Sequence, residues 1–278
     1  MEFDLLNSIL MSIVTGVASV LPVSVEAHQR LLLKFMGLKE LPVLTALFMH
    51  LGIAAGLYLS CLNHILKMSR ASRLARIPKR KRKRPLDTRS LMDLSLLKTM
   101  LLPVILAFFL YEKVAGMVSN LIIMAAFLFL NGLLLYIPQF LPTSNKDCRT
   151  LSRVEGLLMG LGGGLFVVPG LSGMGAALSV ASVAGVDRKY GLNMILMMNL
   201  GLTAGRIVMD VMSLFSASNV LISLMALVCC LLCAACAFLT TYFSVKWMRH
   251  LAEETGFSGF AYYSWGMALF TFILSLMA

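Results

Sequence analysis

The fold turns on Val168-Pro169-Gly170-Leu171-Ser172-Gly173. This hexapeptide interrupts an apolar run over 156–185 and leaves arms of 13 residues (156–168) and 15 residues (171–185). Neither arm reaches the roughly 20 residues that a helix needs to cross the hydrocarbon core. A Pro-Gly tip between two half-length apolar arms predicts a re-entrant hairpin. Such irregular backbone is tolerated at membrane depth only where protein or a wet cavity surrounds it. A second stretch has the same form: residues 5–25 end in Leu21-Pro22-Val23-Ser24, and a shorter amphipathic arm follows to Leu38.

Six further apolar stretches lie outside these two, at 41–66, 91–111, 114–141, 190–215, 220–243 and 257–277. They have helical length and lack the alternation of a β-barrel strand. The composition agrees. Of 278 residues 59% are hydrophobic and 13% charged, against roughly 25% charged in soluble domains. A soluble globule, a disordered chain and a secreted disulfide scaffold are excluded, and one polytopic membrane domain over 1–278 is expected. Cys229, Cys230, Cys233 and Cys236 are spaced like a metal run. They sit in an apolar helix without His or acid beside them, so they are read as small packing residues.

The net charge of +11 is concentrated. Between Lys67 and Arg89 lie eleven basic residues and one acid, Asp87, so this loop alone carries +10. A basic loop between apolar segments marks the cytoplasmic side and attracts anionic lipid heads. It is not read as a nucleic-acid site.

The chain also echoes itself. His50-Leu51-Gly52-Ile53-Ala54-Ala55-Gly56 returns as Asn199-Leu200-Gly201-Leu202-Thr203-Ala204-Gly205 at an offset of 149, and Pro22 and Ser24 return as Pro169 and Ser172 at offsets of 147 and 148. The predicted fold class is therefore all-α and integral to the membrane. It comprises two inverted-topology repeats (about 1–141 and 152–278), six transmembrane helices and two re-entrant helical hairpins. With loop 67–89 in the cytoplasm, the basic segments 142–155, 187–189 and 244–256 fall on the same side. Segments 112–113 and 216–219 become outer loops with little charge, and 26–40 is an outer exception that carries Arg30, Lys34 and Lys39 against Glu26 and Glu40. Inverted repeats with broken helices put a binding site where the breaks meet.

The tip residues resemble a known family. Thr15-Gly16-Val17-Ala18-Ser19-Val20-Leu21-Pro22-Val23-Ser24-Val25-Glu26-Ala27-His28 is similar to the first signature of the undecaprenyl-diphosphate phosphatases (UppP, or BacA). Pro169-Gly170-Leu171-Ser172-Gly173-Met174-Gly175-Ala176 with Gly185-Val186-Asp187-Arg188 is similar to the second. The resemblance covers nearly the whole chain. It implies six spanning helices with two hairpins in a bacterial cytoplasmic (inner) membrane. It further implies removal of the terminal phosphate of a polyprenyl diphosphate, the lipid carrier of wall synthesis, and bacitracin resistance. Thr15 and Ser19 stand where the family has glutamates, Val25 and Met174 where it has serines, Gly173 where it has arginine and Gly163 where it has glutamine.

Diphosphate hydrolysis needs a nucleophile or activated water, a base, and positive charge on the phosphoryl oxygens. The residues left for this are Ser24, Glu26 and His28 as a serine–base cluster. Gly170, Ser172, Gly173, Arg188 and Arg206 are left to hold phosphate. An intramembrane charge is costly and usually lines a cavity. Arg206 is thus either the substitute for the missing arginine or half of an i,i+4 pair with Asp210. His50 and Asn199, at equivalent repeat positions, are expected either to bond across the pseudo-twofold or to pack. Mg2+ or Ca2+ is the expected cofactor if the chain is an enzyme, with no ligand set legible. Polyprenyl diphosphate or phosphate and anionic lipids are the expected partners, and a homodimer is allowed. Three functions stand at this point: a divergent phosphatase, a non-hydrolytic polyprenyl-phosphate transporter or binder, and a regulator that docks partners through its basic loop.

Overall fold

A computed structural model of the chain describes residues 5–117, 120–142, 145–216 and 224–277. These form ten α-helices: α1 (Leu5–Ala18), α2 (Val25–Phe35), α3 (Val43–Ala75), α4 (Thr88–Met117), α5 (Leu121–Tyr136), α6 (Arg153–Gly164), α7 (Gly173–Val183), α8 (Arg188–Ser216), α9 (Leu224–Glu253) and α10 (Gly259–Leu276). Among the described residues there is no β-strand, only an isolated bridge between Lys146 and Val186.

Among the described residues six segments are long and apolar enough to cross a membrane: Val43–Ala75, Thr88–Tyr111, Leu121–Phe140, Arg188–Ser216, Leu224–Glu253 and Gly259–Leu276. Their outward faces carry large hydrophobic side chains such as Phe109, Leu231 and Phe272, which is stable only where lipid replaces water. The protein is a multi-pass membrane protein. One expected boundary is corrected. The supposed loop at 112–113 is helical, because α4 runs on to Met117. Of the other expected outer loop, 216–219, all but Ser216 lies outside the described residues.

The remaining helices are short and end at the two sequence breaks. Ser24 caps α2 by accepting the Ala27 N–H, and Ser172 caps α7 by accepting the Gly175 N–H. A serine hydroxyl satisfies one of the N–H groups that the first helical turn leaves unpaired. Gly170 has φ +107°, a conformation that explains a glycine at the second tip. Ser152 and Glu155 form a reciprocal capping box at the start of α6.

Packing crosses between the halves. α1 lies along α9, α6 along α4, α3 on both α8 and α9, and α5 on α10. Close approach depends on glycine: a Cβ at Gly16 would stand 2.9 Å from the Ala237 carbonyl oxygen of α9, and one at Gly160 only 2.8 Å from Met100 Cα of α4. Small residues of this kind let membrane helices gain dispersion contact where lipid removes the hydrophobic drive.

The basic segments gather at one end. Arg89 pairs with Asp147 at 3.4 Å and Lys189 with Glu253 at 3.1 Å. The Tyr190 hydroxyl donates to Asp93 at 2.8 Å. Lys146 ties both ends of the α6–α7 pair to this face: its Nζ meets Glu155 at 2.7 Å and its N–H donates to the Gly185 carbonyl at 3.2 Å. Outside the apolar region, the same Lys146 contact holds the Glu155 carboxyl down at about 2.

Candidate functional site

The two breaks touch. The Gly170 N–H donates to Ser24 Oγ at 3.0 Å. Asn131 of α5 ties both tips together: its amide nitrogen donates to the Pro22 carbonyl at 3.3 Å, and its oxygen accepts the Ser172 N–H at 2.9 Å. That amide nitrogen also donates to Ser264 Oγ of α10 at 3.0 Å. Asn131 and Ser264 are buried, so the bare backbone of both tips is satisfied inside the protein, as apolar surroundings require.

Arg206 of α8 reaches this junction. Its guanidinium bonds the Glu26 carboxylate, and Nη1 donates to the Tyr111 hydroxyl at 2.8 Å. The Tyr111 hydroxyl donates in turn to the same Glu26 oxygen at 2.8 Å. The guanidinium lies 4.4 Å from the centre of the Tyr111 ring and 5.1 Å from that of Phe166, within cation–π range. Both charged side chains are nearly buried, at 15% and 8% exposure. A small cavity of about 60 Å³ adjoins this cluster, lined by Ser172, Gly173, Asn199, His50, Thr15 and Arg206 among others.

Several expected pairings are corrected. Arg206 does not pair with Asp210. An i,i+4 step turns the side chain by about 40°, so Arg206 faces α2 while Asp210 faces α3 and meets His50 Nδ1 at 2.6 Å. His50 and Asn199 do not bond each other either: the Asn199 amide donates to the Ser19 carbonyl at 2.6 Å. Ser24, Glu26 and His28 do not form a relay. Ser24 Oγ accepts two backbone N–H groups, Glu26 turns to Arg206, and His28 Nδ1 lies 2.6 Å from the Ser24 carbonyl oxygen rather than its hydroxyl. His28 Nε2 faces Tyr263 Oη at 2.6 Å. Arg188 stands apart, beyond the far end of α7. That helix of 11 residues, about 16 Å long at 1.5 Å per residue, separates it from the tip.

Beside the small cavity runs an apolar groove of about 890 Å³ between α1 and the α9–α10 turn. Ala18 and Val23 line both, and His28, Trp247, Phe260 and Tyr263 line the groove. Sequence reasoning missed Tyr111, Asn131 and Tyr263. Asn131 left a signal, as a lone amide in an apolar helix that must find a partner. Tyr111 and Tyr263 left none, since tyrosine is ordinary near a membrane interface.

Among the described residues no oxygen-rich donor set for a divalent cation is assembled at the tips. Hard cations take several carboxylate or carbonyl oxygens. Among the described residues Glu26 is the carboxylate at the tips, and Arg206 already neutralises it. Among the described residues no three His, Cys, Asp or Glu side chains converge. The cysteines of α9 are free and mostly buried.

Together the fold and the junction define a class: a multi-pass helical membrane protein with two broken apolar segments that meet around a buried arginine. The chain belongs to the bacitracin resistance protein BacA family, whose model matches residues 8–270. It is 26% identical to an undecaprenyl-diphosphatase of Methanobrevibacter smithii over 98% of both chains. It is 25% identical to one of Carboxydothermus hydrogenoformans over 96% of both, and 20% identical to one of Halothermothrix orenii over 98% of both.

Proposed function

We propose that this chain acts on a polyprenyl diphosphate or its monophosphate in the carrier-lipid cycle, at the junction of two re-entrant hairpins that enter the cytoplasmic membrane from opposite leaflets. The observation that carries this reading is Arg206, an intramembrane guanidinium held where the two chain breaks touch. A membrane-buried arginine binds phosphate at close range because a low dielectric strengthens the contact. The hairpin reading is supported by Lys146, which holds the start of α6 and the segment after α7 at one end. The inverted-repeat reading is supported by the reciprocal packing of α1 on α9 and α6 on α4. The apolar groove has the volume of a ligand pocket and shares walls with the junction, as a polyprenyl tail requires.

Its relatives are undecaprenyl-diphosphatases, and hydrolysis of the terminal phosphate is the first reading of the chemistry. Arg206 would offset charge on the phosphoryl oxygens once Glu26 yields it, and the Ser24 hydroxyl lies at the tip. Binding and carriage without hydrolysis is the second reading. It is favoured by the commitment of Ser24 Oγ to two N–H groups and of Glu26 to Arg206, which leaves no nucleophile–base pair assembled. Phosphate release from farnesyl or undecaprenyl diphosphate by the purified protein, with Mg2+ or Ca2+ supplied, separates them. Release abolished by Ser24→Ala or His28→Ala supports hydrolysis. Saturable binding without release, lost in Arg206→Gln, supports carriage. Absence of both release and binding overturns the function itself.

A further inference from the structure

Arg188 lies in a cavity of its own. This space of about 230 Å³ is bounded by the α7–α8 turn, the end of α5 and the α9–α10 turn. The Arg188 guanidinium lies against Gly256: its Nη1 is 3.3 Å from where a Cβ on that residue would stand. Arg188 makes no ion pair or hydrogen bond among the described residues. Gln139, Thr255 and Ser258 line the same space, their side-chain polar groups likewise uncommitted, and no carboxylate lines it. An unneutralised cation with three free polar side chains and no acid selects an anion. A phosphate is the anion that a guanidinium grips in a forked geometry.

The cavity is not isolated. Gln139, Thr255, Gly256 and Ser258 are also walls of the apolar groove, whose opposite side is formed by Val23 and His28 next to the tips. The groove therefore has Arg206 beyond one end and Arg188 at the other, and the Arg188 end is where the basic segments gather. An apolar trough with a free guanidinium at its polar mouth matches an amphiphile with one anionic head.

We propose that Arg188, with Thr255 and Ser258, forms a second head-group subsite for a polyprenyl phosphate, at the basic end of the groove and separate from the junction at Arg206. The inference takes its ligand from the function proposed above. It adds that the lipid has two stations on one surface, with its isoprenoid tail in the shared groove at either. Arg188 is exposed at the surface, so its replacement leaves the fold intact.

The test uses the full chain in nanodiscs and farnesyl phosphate as probe, with inorganic phosphate and farnesol as the head-only and tail-only arms. Calorimetric titration is expected to give two farnesyl phosphate sites per chain. In Arg188→Gln one of them weakens roughly 10- to 100-fold, the loss of one charge-assisted grip, while the unfolding temperature is unchanged. Thr255→Val/Ser258→Ala weakens the same site. Arg206→Gln weakens only the other. If Arg188→Gln leaves both sites intact while Arg206→Gln removes its own, the second subsite is overturned and the function stands. If Arg206→Gln has no effect while Arg188→Gln removes all binding, the subsite stands and the junction loses its role. Inorganic phosphate binding as tightly as farnesyl phosphate in an Arg188-dependent way overturns the lipid assignment. No binding by the unaltered protein overturns both proposals.

Discussion

Replacing Glu26 with alanine leaves the Arg206 guanidinium nearly buried, with a single tyrosine hydroxyl as partner. Removing one member of a buried ion pair typically costs about 3–5 kcal/mol, because the remaining charge is desolvated without compensation. Neutral interhelical hydrogen bonds in membranes average only about 0.6 kcal/mol, so the two outcomes are well separated. Arg206→Ala strands Glu26 in the same way. The double variant Glu26→Ala/Arg206→Ala removes both charges, and it is expected to be more stable than the sum of the single losses by about 2 kcal/mol or more. The assay is reversible unfolding in mixed micelles of the four proteins, read by near-ultraviolet circular dichroism. Additive losses within about 0.5 kcal/mol, the scatter of uncoupled sites, would refute the reasoning. Arg206 would then be solvated by water from the adjoining cavity rather than by Glu26.

Other expectations follow from the packing and the caps. Gly160→Val puts a side chain into the α4 backbone at Met100 and is expected to cost about 1–3 kcal/mol, seen as a lower unfolding midpoint, whereas Gly259→Ala, with open space around it, is not. Ser24→Ala leaves the Gly170 N–H unpaired in a buried tip, and a loss of about 1–3 kcal/mol is expected in the same assay. The Glu155 carboxyl is held at about 2 by its Lys146 and Ser152 contacts. Its folded value lies below the unfolded one, so its stabilisation is complete above about pH 4.5 and is lost as pH falls toward 2. The stability deficit of Glu155→Gln should be constant at neutral pH and vanish by about pH 2. If the positive-inside bias places the basic loop in the cytoplasm, cysteine labelling of loop residue Lys83→Cys in intact cells should fail until the membrane is permeabilised; labelling of intact cells would reverse that orientation.

Much of the fold is legible in the sequence because membrane helices obey simple constraints. Apolar length identifies the spans, and Pro169-Gly170 and Pro22 mark the two places where the apolar run cannot stay helical. The sequence echo sets Pro22/Ser24 and Pro169/Ser172 at nearly one offset, and the two tips touch through Gly170 and Ser24. The basic segments collect at one end as their charge suggested, through Arg89–Asp147 and Lys189–Glu253. The side-chain network was not legible. Glu26 meets Arg206 across 180 positions, and His50 meets Asp210 across 160. Which of two nearby acids an arginine chooses depends on helix rotation within the bundle, and pattern alone does not fix that. Local proximity favoured Arg206–Asp210, and tertiary packing overrode it. Asn131 illustrates the opposite case: its solitary polarity in α5 was a usable signal, because an amide in that setting must satisfy someone's backbone, here that of both tips.

The most direct measurement is solid-state magnetic resonance on protein labelled at arginine 13Cζ, reconstituted with farnesyl diphosphate, recording dipolar contact between lipid 31P and the guanidinium carbon. The account requires a contact component that is present in the unaltered protein and disappears in Arg206→Lys. A lipid that binds with no 31P–guanidinium contact, or with contact unchanged by that substitution, would show that the phosphate does not reside where the two chain breaks meet.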